Sequence, residues 1–383
     1  MKVLYGARIF DGERLRDDCA LVVEGRSIEA LTPVRDRPRG GEQVDLGGGI
    51  LSPGFIDWQI NGGGGVLFNA NPTVEGIAAI GAAHRRAGVT AFLPTVVTDA
   101  PRVLEAALAA AREARERVSG ALGIHVEGPF IDVKRKGVHP PEFIRPMREE
   151  DAGALIAARA GVMVVTLAPV SAPIERIARL ARAGIVVSLG HSDASAEEAG
   201  LVFDAGATAV THLYNAMSQL SSRAPGVVGA TLADPRIICG LIADGEHAHA
   251  VAYRAALAAK GARGIALVSD AMPPAAGGPD VFELQGRRMT RTGDRLVAED
   301  GTLAGAAITM RDAVAYLVSV LKVPLADALM MATLTPARLL RADDRIGRLE
   351  AGHRADLVHL TDALQVAEVW TGGRRLNEVD AAA

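Results

Sequence analysis

The chain has 383 residues, 49% of them hydrophobic, and a formal net charge of −4. This length suits one large domain with a smaller one, and the absence of a basic stripe argues against nucleic acid as a partner. Two distant cysteines, Cys19 and Cys239, make neither a disulfide framework nor a cysteine zinc site. The sequence has no signal-peptide pattern and no apolar stretch long enough to cross a bilayer, so we expect a soluble cytoplasmic protein without a membrane partner.

Both ends of the chain are rich in predicted strands. Residues 1–50 read as short strands joined by turns such as Asp11-Gly12, and residues 345–376 read the same way. We therefore expect residues 1–52 and 345–383 to pair into one small β-sandwich domain. Residues 53–344 are then expected to form the catalytic domain.

Between these ends, short apolar strands alternate with Ala-rich amphipathic helices. The predicted strands are 51–58, 89–94, 122–127, 162–168, 185–190, 208–212, 237–243 and 264–269. The predicted helices between them are 74–87, 101–118, 148–160, 173–183, 195–205 and 247–260. This alternation predicts an α/β fold with a (β/α)8 TIM-like barrel. A doubly wound open sheet is the alternative, but it would gather its site at one switch point.

Other segments interrupt this alternation. The Gly-rich stretch 61–69 lacks the spacing of a phosphate-binding or dinucleotide loop, and we interpret it as a flexible loop at the barrel mouth. Residues 280–300 resemble a hairpin inserted after the eighth strand. Two further helices are expected at about 309–321 and 325–340.

Four polar residues stand at the ends of different predicted strands: Glu127, His191, His212 and Asp270. Barrel enzymes keep their chemistry at the carboxyl ends of the strands. One carboxylate and two imidazoles there suit a divalent metal, and a further acid can move protons at a bound water. Each residue also has a structural alternative, such as an ion pair for the glutamate or a helix cap for the aspartate. From spacing alone, His125 is an equally possible ligand, or a core histidine that orients Glu127.

A second group of polar residues lies in the loops after the third, sixth and seventh predicted strands. His139 lies in a basic loop, Arg223 in a loop bounded by Gly and Pro, and Asp244, His247 and His249 follow the seventh strand. The backbone of Asn215-Ala216 could cradle an anion, and arginine suits a phosphate or a carboxylate. A solvated surface arginine is the alternative for Arg223. Together these residues indicate an anionic substrate.

With these residues in hand, the chain resembles the amidohydrolase superfamily and, within it, the N-acetylglucosamine-6-phosphate deacetylase family. The motifs that carry this resemblance are PGFIDWQINGGGG (53–65), HVEGPF (125–130), KGVHP (136–140), LGHSDA (189–194), THLYNAM (211–217), RAPG (223–226), IADGEH (242–247), VSDA (268–271), GTLAGAAITM (301–310) and GRLEAGHRADLV (347–358). They span nearly the whole chain. PGFID and ADLV occur across the superfamily, whereas HVEGPF, THLYNAM and IADGEH are more specific to the deacetylases.

The resemblance implies a role for each matched residue. Glu127, His191 and His212 would bind the metal, Asp270 would act as general base and then acid, and His139 would polarise the acetyl carbonyl. The implied substrate-binding residues are Gln59, Asn61, His139, Asn215, Ala216, Arg223, His247, Ala306 and Ile308. In the family the arginine comes from a neighbouring subunit, which implies a homodimer with Arg223 contributed across the interface.

One position departs from the superfamily pattern. Many amidohydrolases carry a His-x-His pair at the end of the first strand for a second metal, whereas this chain has Gln59-Ile60-Asn61. Amides are poor ligands for zinc-like ions, so we expect one divalent metal per site, with zinc favoured and iron, manganese or cobalt as alternatives.

The implied reaction is hydrolysis of N-acetylglucosamine 6-phosphate to glucosamine 6-phosphate and acetate. The alternatives are a related galactosamine- or mannosamine-type sugar phosphate and another mononuclear amidohydrolase. A catalytically dead barrel that only binds a partner and a sugar-phosphate sensor are rivals of a different class.

Overall fold

The structure is a computed structural model that describes residues 1–293 and 295–376. The chain begins with seven short strands: β1 Lys2–Tyr5, β2 Arg8–Phe10, β3 Leu15–Arg16, β4 Cys19–Glu24, β5 Ser27–Pro33, β6 Glu42–Asp45 and β7 Ile50–Pro53. Four of them form one sheet in the order β5-β4-β1-β6. The inward side chains of β4 are apolar, as expected for one face of a sandwich.

The barrel strands are β8 Phe55–Ile60, β11 Val89–Val97, β12 Gly123–Glu127, β13 Val162–Leu167, β14 Val186–Leu189, β15 Ala209–Val210, β16 Ile238–Leu241 and β17 Ile265–Leu267; the short hairpin β9 Gly62–Gly63 and β10 Val66–Leu67 follows β8. Each barrel strand pairs in parallel with the next. A parallel bridge between Ile60 and Ala271 closes the ring between the first and last strands. The predicted (β/α)8 barrel is confirmed.

The helices that follow the strands are α1 Val74–Arg85, α2 Pro101–Arg117, α3 Glu149–Ala157, α4 Ile174–Arg182, α5 Ala196–Asp204, α6 Gly226–Ala233 and α7 Ala250–Lys260. Hydrogen bonds from nearby side chains help to set where these helices begin. Ser195 caps α5, because its hydroxyl accepts the Glu198 N–H while the Glu198 carboxylate accepts the Ser195 N–H. The sequence missed α6, which has apolar residues on all sides and therefore lacks a helical period.

A four-stranded antiparallel sheet follows the barrel: β18 Val281–Leu284, β19 Arg287–Thr292, β20 Arg295–Ala298 and β21 Leu303–Ala306. The predicted hairpin at 280–300 thus covers three of the four strands of this insertion, and β21 completes it. Three helices come next: α8 Met310–Ser319, α9 Leu325–Ala332 and α10 Leu334–Leu339. The single helix predicted at 325–340 was wrong, because the backbone of Thr333 leaves the helical region.

The last strands are β22 Leu357–Leu360, β23 Val366–Thr371 and β24 Arg374–Arg375. They join strands from the beginning of the chain in a six-stranded sheet with the order β24-β23-β22-β7-β2-β3. Residues from both sheets, including Leu4, Leu21, Leu357 and Trp370, form one buried cluster. The small sandwich built from both termini is therefore present.

The predicted first barrel strand, 51–58, spans two strands of different domains. Its first part belongs to β7 in the sandwich, and its second part belongs to β8 in the barrel, with Gly54 between them. The proposed domain limits, 1–52 with 345–383 and 53–344, stay a prediction. Residues 377–383 of the smaller domain lie outside the described residues. Within 1–293 and 295–376, the structure has no helix that is both long and apolar enough to cross a membrane.

Candidate active site

Glu127, His191 and His212 meet above the carboxyl ends of β12, β14 and β15. Their ligand atoms lie close together: Glu127 Oε1 is 3.2 Å from His191 Nε2 and 3.0 Å from His212 Nε2, and the two Nε2 atoms are 3.1 Å apart. All three side chains are buried. Parallel strands end at one rim of the barrel, so residues far apart in sequence converge there.

The hydrogen bonding of His191 fixes which of its nitrogens faces the cluster. Its Nδ1 lies 2.8 Å from the Arg135 carbonyl oxygen, which can only accept, so Nδ1 carries the proton. The Nε2 lone pair then points at Glu127 and His212. A histidine held in this way by a carbonyl is the usual arrangement for a metal ligand.

The chemistry of this donor set fits one divalent cation. In a tetrahedral site with metal–ligand bonds of about 2.0–2.2 Å, neighbouring ligand atoms stand roughly 3.3 Å apart, close to the separations seen here. Burial alone would raise the pKa of Glu127, but the neighbouring imidazoles of His191 and His212 outweigh burial and hold that pKa well below its usual range. The carboxylate is therefore ionised and able to bind a cation.

Asp270 lies beside the cluster, at the end of β17, and is held by two amides. Asn61 Nδ2 donates to Asp270 Oδ1 at 2.6 Å, and Gln59 Nε2 donates to the same oxygen at 3.1 Å. Burial, and then the negative charge of Glu127, raise the pKa of Asp270 to about 6. A carboxyl group with a pKa in this range can both accept and return a proton near neutral pH.

Gln59 lies beneath the cavity and bridges the two acids. Its amide nitrogen is within 3.3 Å of both Glu127 oxygens as well as of Asp270. The N–H groups thus stabilise two neighbouring negative charges, a task that a second cation could otherwise perform.

His139 stands further out from the cluster. Its ligand atom and those of Glu127 and His191 all lie within 4.8 Å of one another. Its Nδ1 is 2.8 Å from the Thr98 hydroxyl. Burial, and then the neighbouring His191, lower the pKa of His139 to about 3, so the ring is neutral. A neutral imidazole whose Nδ1 accepts the Thr98 proton has an N–H at Nε2 to donate.

His125 belongs to the barrel interior and not to the cluster. Its Nε2 lies 2.7 Å from the Thr166 hydroxyl and its Nδ1 lies 3.4 Å from the Thr95 hydroxyl. Both nitrogens therefore have hydroxyl partners, and burial lowers the pKa of His125 to about 4. Of the two alternatives left open by the sequence, the hydrogen-bonded core histidine is the one observed.

A cavity of about 350 Å³ opens above these residues. Asp270, His139 and the three clustered side chains line its floor, and Asn215, Ala216 and His247 line its wall. Lys134 and Arg135 bring positive charge to the mouth. A second cavity of about 300 Å³, between α2 and α3, contains none of the clustered ligand atoms. The floor of the larger cavity offers a cation site and a proton carrier, and its mouth suits an anion.

Comparison with known proteins agrees with this geometry. The sequence profile of the Amidohydrolase family matches residues 50–376, which covers the barrel and the last sandwich strands. The chain belongs to the amidohydrolase family. Members of this family are metal-dependent hydrolases, and the chain's own cluster of Glu127 with histidines is of the kind that holds a metal.

Two relatives within the amidohydrolases illustrate how similar the chain is to known enzymes. It is 39% identical to an N-acetylgalactosamine-6-phosphate deacetylase of Shewanella sp. (strain ANA-3), over 100% of this chain and 98% of that protein. It is 37% identical to an N-acetylglucosamine-6-phosphate deacetylase of Haemophilus influenzae, over 93% of this chain and 94% of that protein.

A solved amidohydrolase structure is also similar over the full length. The crystal structure of N-acetylglucosamine-6-phosphate deacetylase from Pasteurella multocida has a TM-score of 0.95 and 34% identity, and the match covers 98% of this chain and 99% of that one. The fold therefore agrees with that of this deacetylase over nearly the full length of both chains.

The structure does not bring every predicted substrate residue into the cavity lining. Gln59, Arg223, Ala306 and Ile308 are outside it. Arg223 is exposed on its loop. Ala306 pairs by its backbone with Asp270 and Met272 at the end of the eighth strand. Its neighbours Thr302, Leu303 and Gly305, from the inserted sheet, line the cavity instead.

Sequence reasoning missed two residues that hold predicted site residues in place. Thr98 contacts His139, and Asp244 contacts His247 through a 2.6 Å hydrogen bond. Both follow barrel strands, so their position at a strand end was a usable signal. Asp244 was counted among the residues that indicate an anionic substrate, but its contact with His247 was not predicted.

Proposed function

We propose that this protein hydrolyses the N-acetyl group of N-acetylglucosamine 6-phosphate, giving glucosamine 6-phosphate and acetate. The observation that carries this proposal is the convergence of Glu127, His191 and His212 within 3.2 Å, with Asp270 beside them. Relatives named for this activity cover most of the chain, which supports the same chemistry here.

Glu127, His191 and His212 would hold one divalent cation, with zinc favoured and iron, manganese or cobalt as alternatives. When bound, such a cation supplies Lewis-acid polarisation and makes a water molecule more acidic. Gln59 and Asn61 stand where a second metal would need histidines, and their N–H groups are engaged by Asp270. This supports a single metal per site.

The chain's own side chains move the protons. Asp270 accepts a proton from the attacking water as the new C–O bond forms at the acetyl carbonyl carbon. The His139 N–H donates a hydrogen bond to the carbonyl oxygen while negative charge develops there. Asp270 then returns the proton to the nitrogen as the C–N bond breaks, which releases the amino sugar and acetate.

The phosphate end of the substrate would lie against the wall formed by His247, Asn215 and the backbone of Ala216. Arg223 is exposed and outside the lining, which supports its use by a neighbouring copy in a homodimer. A sugar phosphate carries charge that does not cross a bilayer unaided, which supports action in the cytoplasm, in amino-sugar catabolism or cell-wall recycling.

A second substrate, N-acetylgalactosamine 6-phosphate, is favoured by the Shewanella relative, which is named for it and matches the entire chain. The two sugars differ only in the orientation of one hydroxyl group.

The test is acetate release by purified protein from both phosphosugars and from unphosphorylated N-acetylglucosamine, with the metal content of the same sample measured. We expect release from a phosphosugar with about one metal per chain. The ratio of kcat/KM values for the two phosphosugars then names the substrate. A metal-replete protein that releases acetate from neither would overturn the proposal.

A further inference from the structure

His247 reaches the cavity with a carboxylate directly behind it. Its Nδ1 lies 2.6 Å from Asp244 Oδ2, and the imidazole lines the cavity whereas Asp244 does not. The side chain of His247 is 6% exposed and that of Asp244 is 1% exposed. The carboxylate oxygen can only accept, so Nδ1 carries a proton and Nε2 is the atom left to face the cavity.

The same carboxylate also shapes the loop after β16. Asp244 Oδ1 accepts the backbone N–H groups of Glu246 and His247 at 2.9 and 3.0 Å. Gly245 packs tightly on Tyr316, because a Cβ atom added at Gly245 would lie 2.9 Å from the Tyr316 hydroxyl oxygen. These contacts hold the Asp244 carboxylate in one orientation, and hydrogen bonds outweigh burial to keep its pKa below the usual value. It is therefore a fixed negative charge.

An imidazole with an anion at each nitrogen must donate from both. If Asp244 accepts from Nδ1 and a substrate phosphate accepts from Nε2, the ring carries two protons and a positive charge in the complex. We propose that Asp244 is a positioning residue that turns Nε2 of His247 into the cavity and makes phosphate binding take up a proton. This inference rests on the proposed function, since it assigns His247 to the phosphate end of the substrate.

Other charged and titratable groups face this pair. Asp270 lies within electrostatic range of His247. Tyr253 places its hydroxyl 3.4 Å from Asp244 Oδ1. Among the described residues, the other groups near the pair include Tyr316 of α8, Arg254 of α7, Glu246 with Arg295 of β20, and Lys134 and Arg135 across the cavity. Asp244 is the one in direct contact with His247 Nδ1.

The test compares the metal-loaded wild-type protein with Asp244→Asn. Calorimetry in two buffers of different ionisation enthalpy measures the proton uptake that accompanies binding of glucosamine 6-phosphate, with glucosamine as the control ligand. For the wild type we expect binding to take up more protons than protonation of the sugar phosphate itself accounts for. Its affinity for glucosamine 6-phosphate should fall by up to about tenfold per pH unit as the pH rises. In Asp244→Asn the amide donates to Nδ1, the ring stays neutral, the extra uptake is lost and affinity falls on the order of tenfold near pH 6.5.

Glu246→Gln is the matched control, because it removes a negative charge from the same loop, where Glu246 pairs with Arg295, and leaves the Asp244–His247 contact in place. It should keep the wild-type proton uptake. In kinetics, Asp244→Asn should raise KM for the phosphosugar and leave kcat within about twofold.

Several outcomes would overturn the inference. One is Asp244→Asn binding with wild-type uptake and affinity, and another is a loss of kcat and stability with KM unchanged. If Asp244→Asn does not fold, the wild-type measurement still decides. Absence of the additional proton uptake when the wild type binds glucosamine 6-phosphate would reject the inference. A wild type that binds the sugar phosphate with the expected uptake but releases no acetate would reject the proposed function and keep the inference.

Discussion

His191, His212 and Asp270 share an unusual backbone, with φ of 47°, 31° and 48°. Residues other than glycine avoid this left-handed region, at a cost on the order of 1–2 kcal/mol each. In each case the chain turns sharply just after a strand has ended, which aims the side chain across the barrel mouth. The surrounding hydrogen bonds hold the conformation, as when Asp270 N–H donates to the Gln59 carbonyl at 3.0 Å.

Replacing Asp270 with asparagine removes the proton carrier and keeps its shape. We expect Asp270→Asn to bind metal and substrate normally and to lose about 10²–10⁴-fold in kcat, the range supplied by general acid–base catalysis. Steady-state kinetics and metal analysis of the same sample check this. A kcat close to that of the wild type would contradict the role.

The activity should depend on pH through the same carboxyl group. Burial and the charge of Glu127 raise the pKa of Asp270 to about 6. A general base acts when deprotonated, so kcat/KM should fall as the pH drops through the pKa of Asp270, which is about 6 in the metal-free chain and lower once a cation is bound beside it. The hydrogen bond from Asn61 works in the opposite direction and favours the charged form.

Asn61→Leu should therefore move the acidic limb of the pH profile to higher pH. Thr302→Ala changes the cavity lining without touching Asp270 and should leave the limb in place. An acidic limb that stays at the same pH in Asn61→Leu would show that this hydrogen bond does not tune the base.

For single residues, the sequence predicted which side chains come together, because residues at the carboxyl ends of barrel strands must lie at the same rim of the barrel. It did not predict what holds them. Thr98 behind His139 and Gln59 between two acids depend on side-chain directions across the barrel, and no spacing in the sequence encodes those.

Among the elements, β16 shows how the barrel interior constrains a single position. Trp58 of β8 fills the barrel and lies against Gly240 of β16, where an added Cβ would be 2.7 Å from Trp58 Cζ2. Neither the ring, which is fully buried, nor the strand backbone can move away easily. Gly240 is therefore required for packing.

Gly240→Ala should lower the free energy of unfolding by about 1–3 kcal/mol, the usual cost of overpacking a core. Gly200 is the matched control, because it lies in α5 with nothing within 4 Å of an added Cβ. Gly200→Ala should stabilise by roughly 0.5–1 kcal/mol through helix propensity. Urea unfolding of both variants checks the pair, and equal effects would contradict this account of β16.

The boundaries of some elements could not be predicted, for identifiable reasons. The strands β7 and β8 are both buried, so one continuous apolar run conceals the change of domain at Gly54. The break between α9 and α10 has a clearer signal. The ring of Pro336 would clash with the carbonyl of Ala332, and the helix is interrupted at the next residue, Thr333.

For the whole molecule, the cluster of Glu127, His191 and His212 makes the free energy of unfolding depend on the metal. A cation that binds the folded chain and not the unfolded one stabilises by about 2.7 kcal/mol when its concentration is 100 times its Kd. Removing the metal with a chelator should abolish acetate release and lower the Tm, and adding Zn²⁺ back should restore both. His191→Ala should show little response to chelator, and an unchanged Tm in chelated wild type would argue against a structural contribution of the metal.

The overall architecture was predictable because its signal is repeated many times. Eight strands alternating with helices leave few other folds, and two strand-rich ends have only each other as partners. The inserted sheet β18–β21 was underestimated, because its strands are short and β18 and β19 each bury only one side chain, so the hydrophobic pattern is weak there.

The pairing of β7 with β22 also bears on how the protein is made. Leu51 pairs with His359, a residue that leaves the ribosome roughly 300 residues later. Such distant pairings are slow to form, and strand edges that wait unpaired invite contact with other chains. A chain truncated after residue 350 should therefore collect in the insoluble fraction, and its recovery as soluble monomer would contradict this view. The yield of active protein in a cell is then governed by how well the first strands are shielded during synthesis.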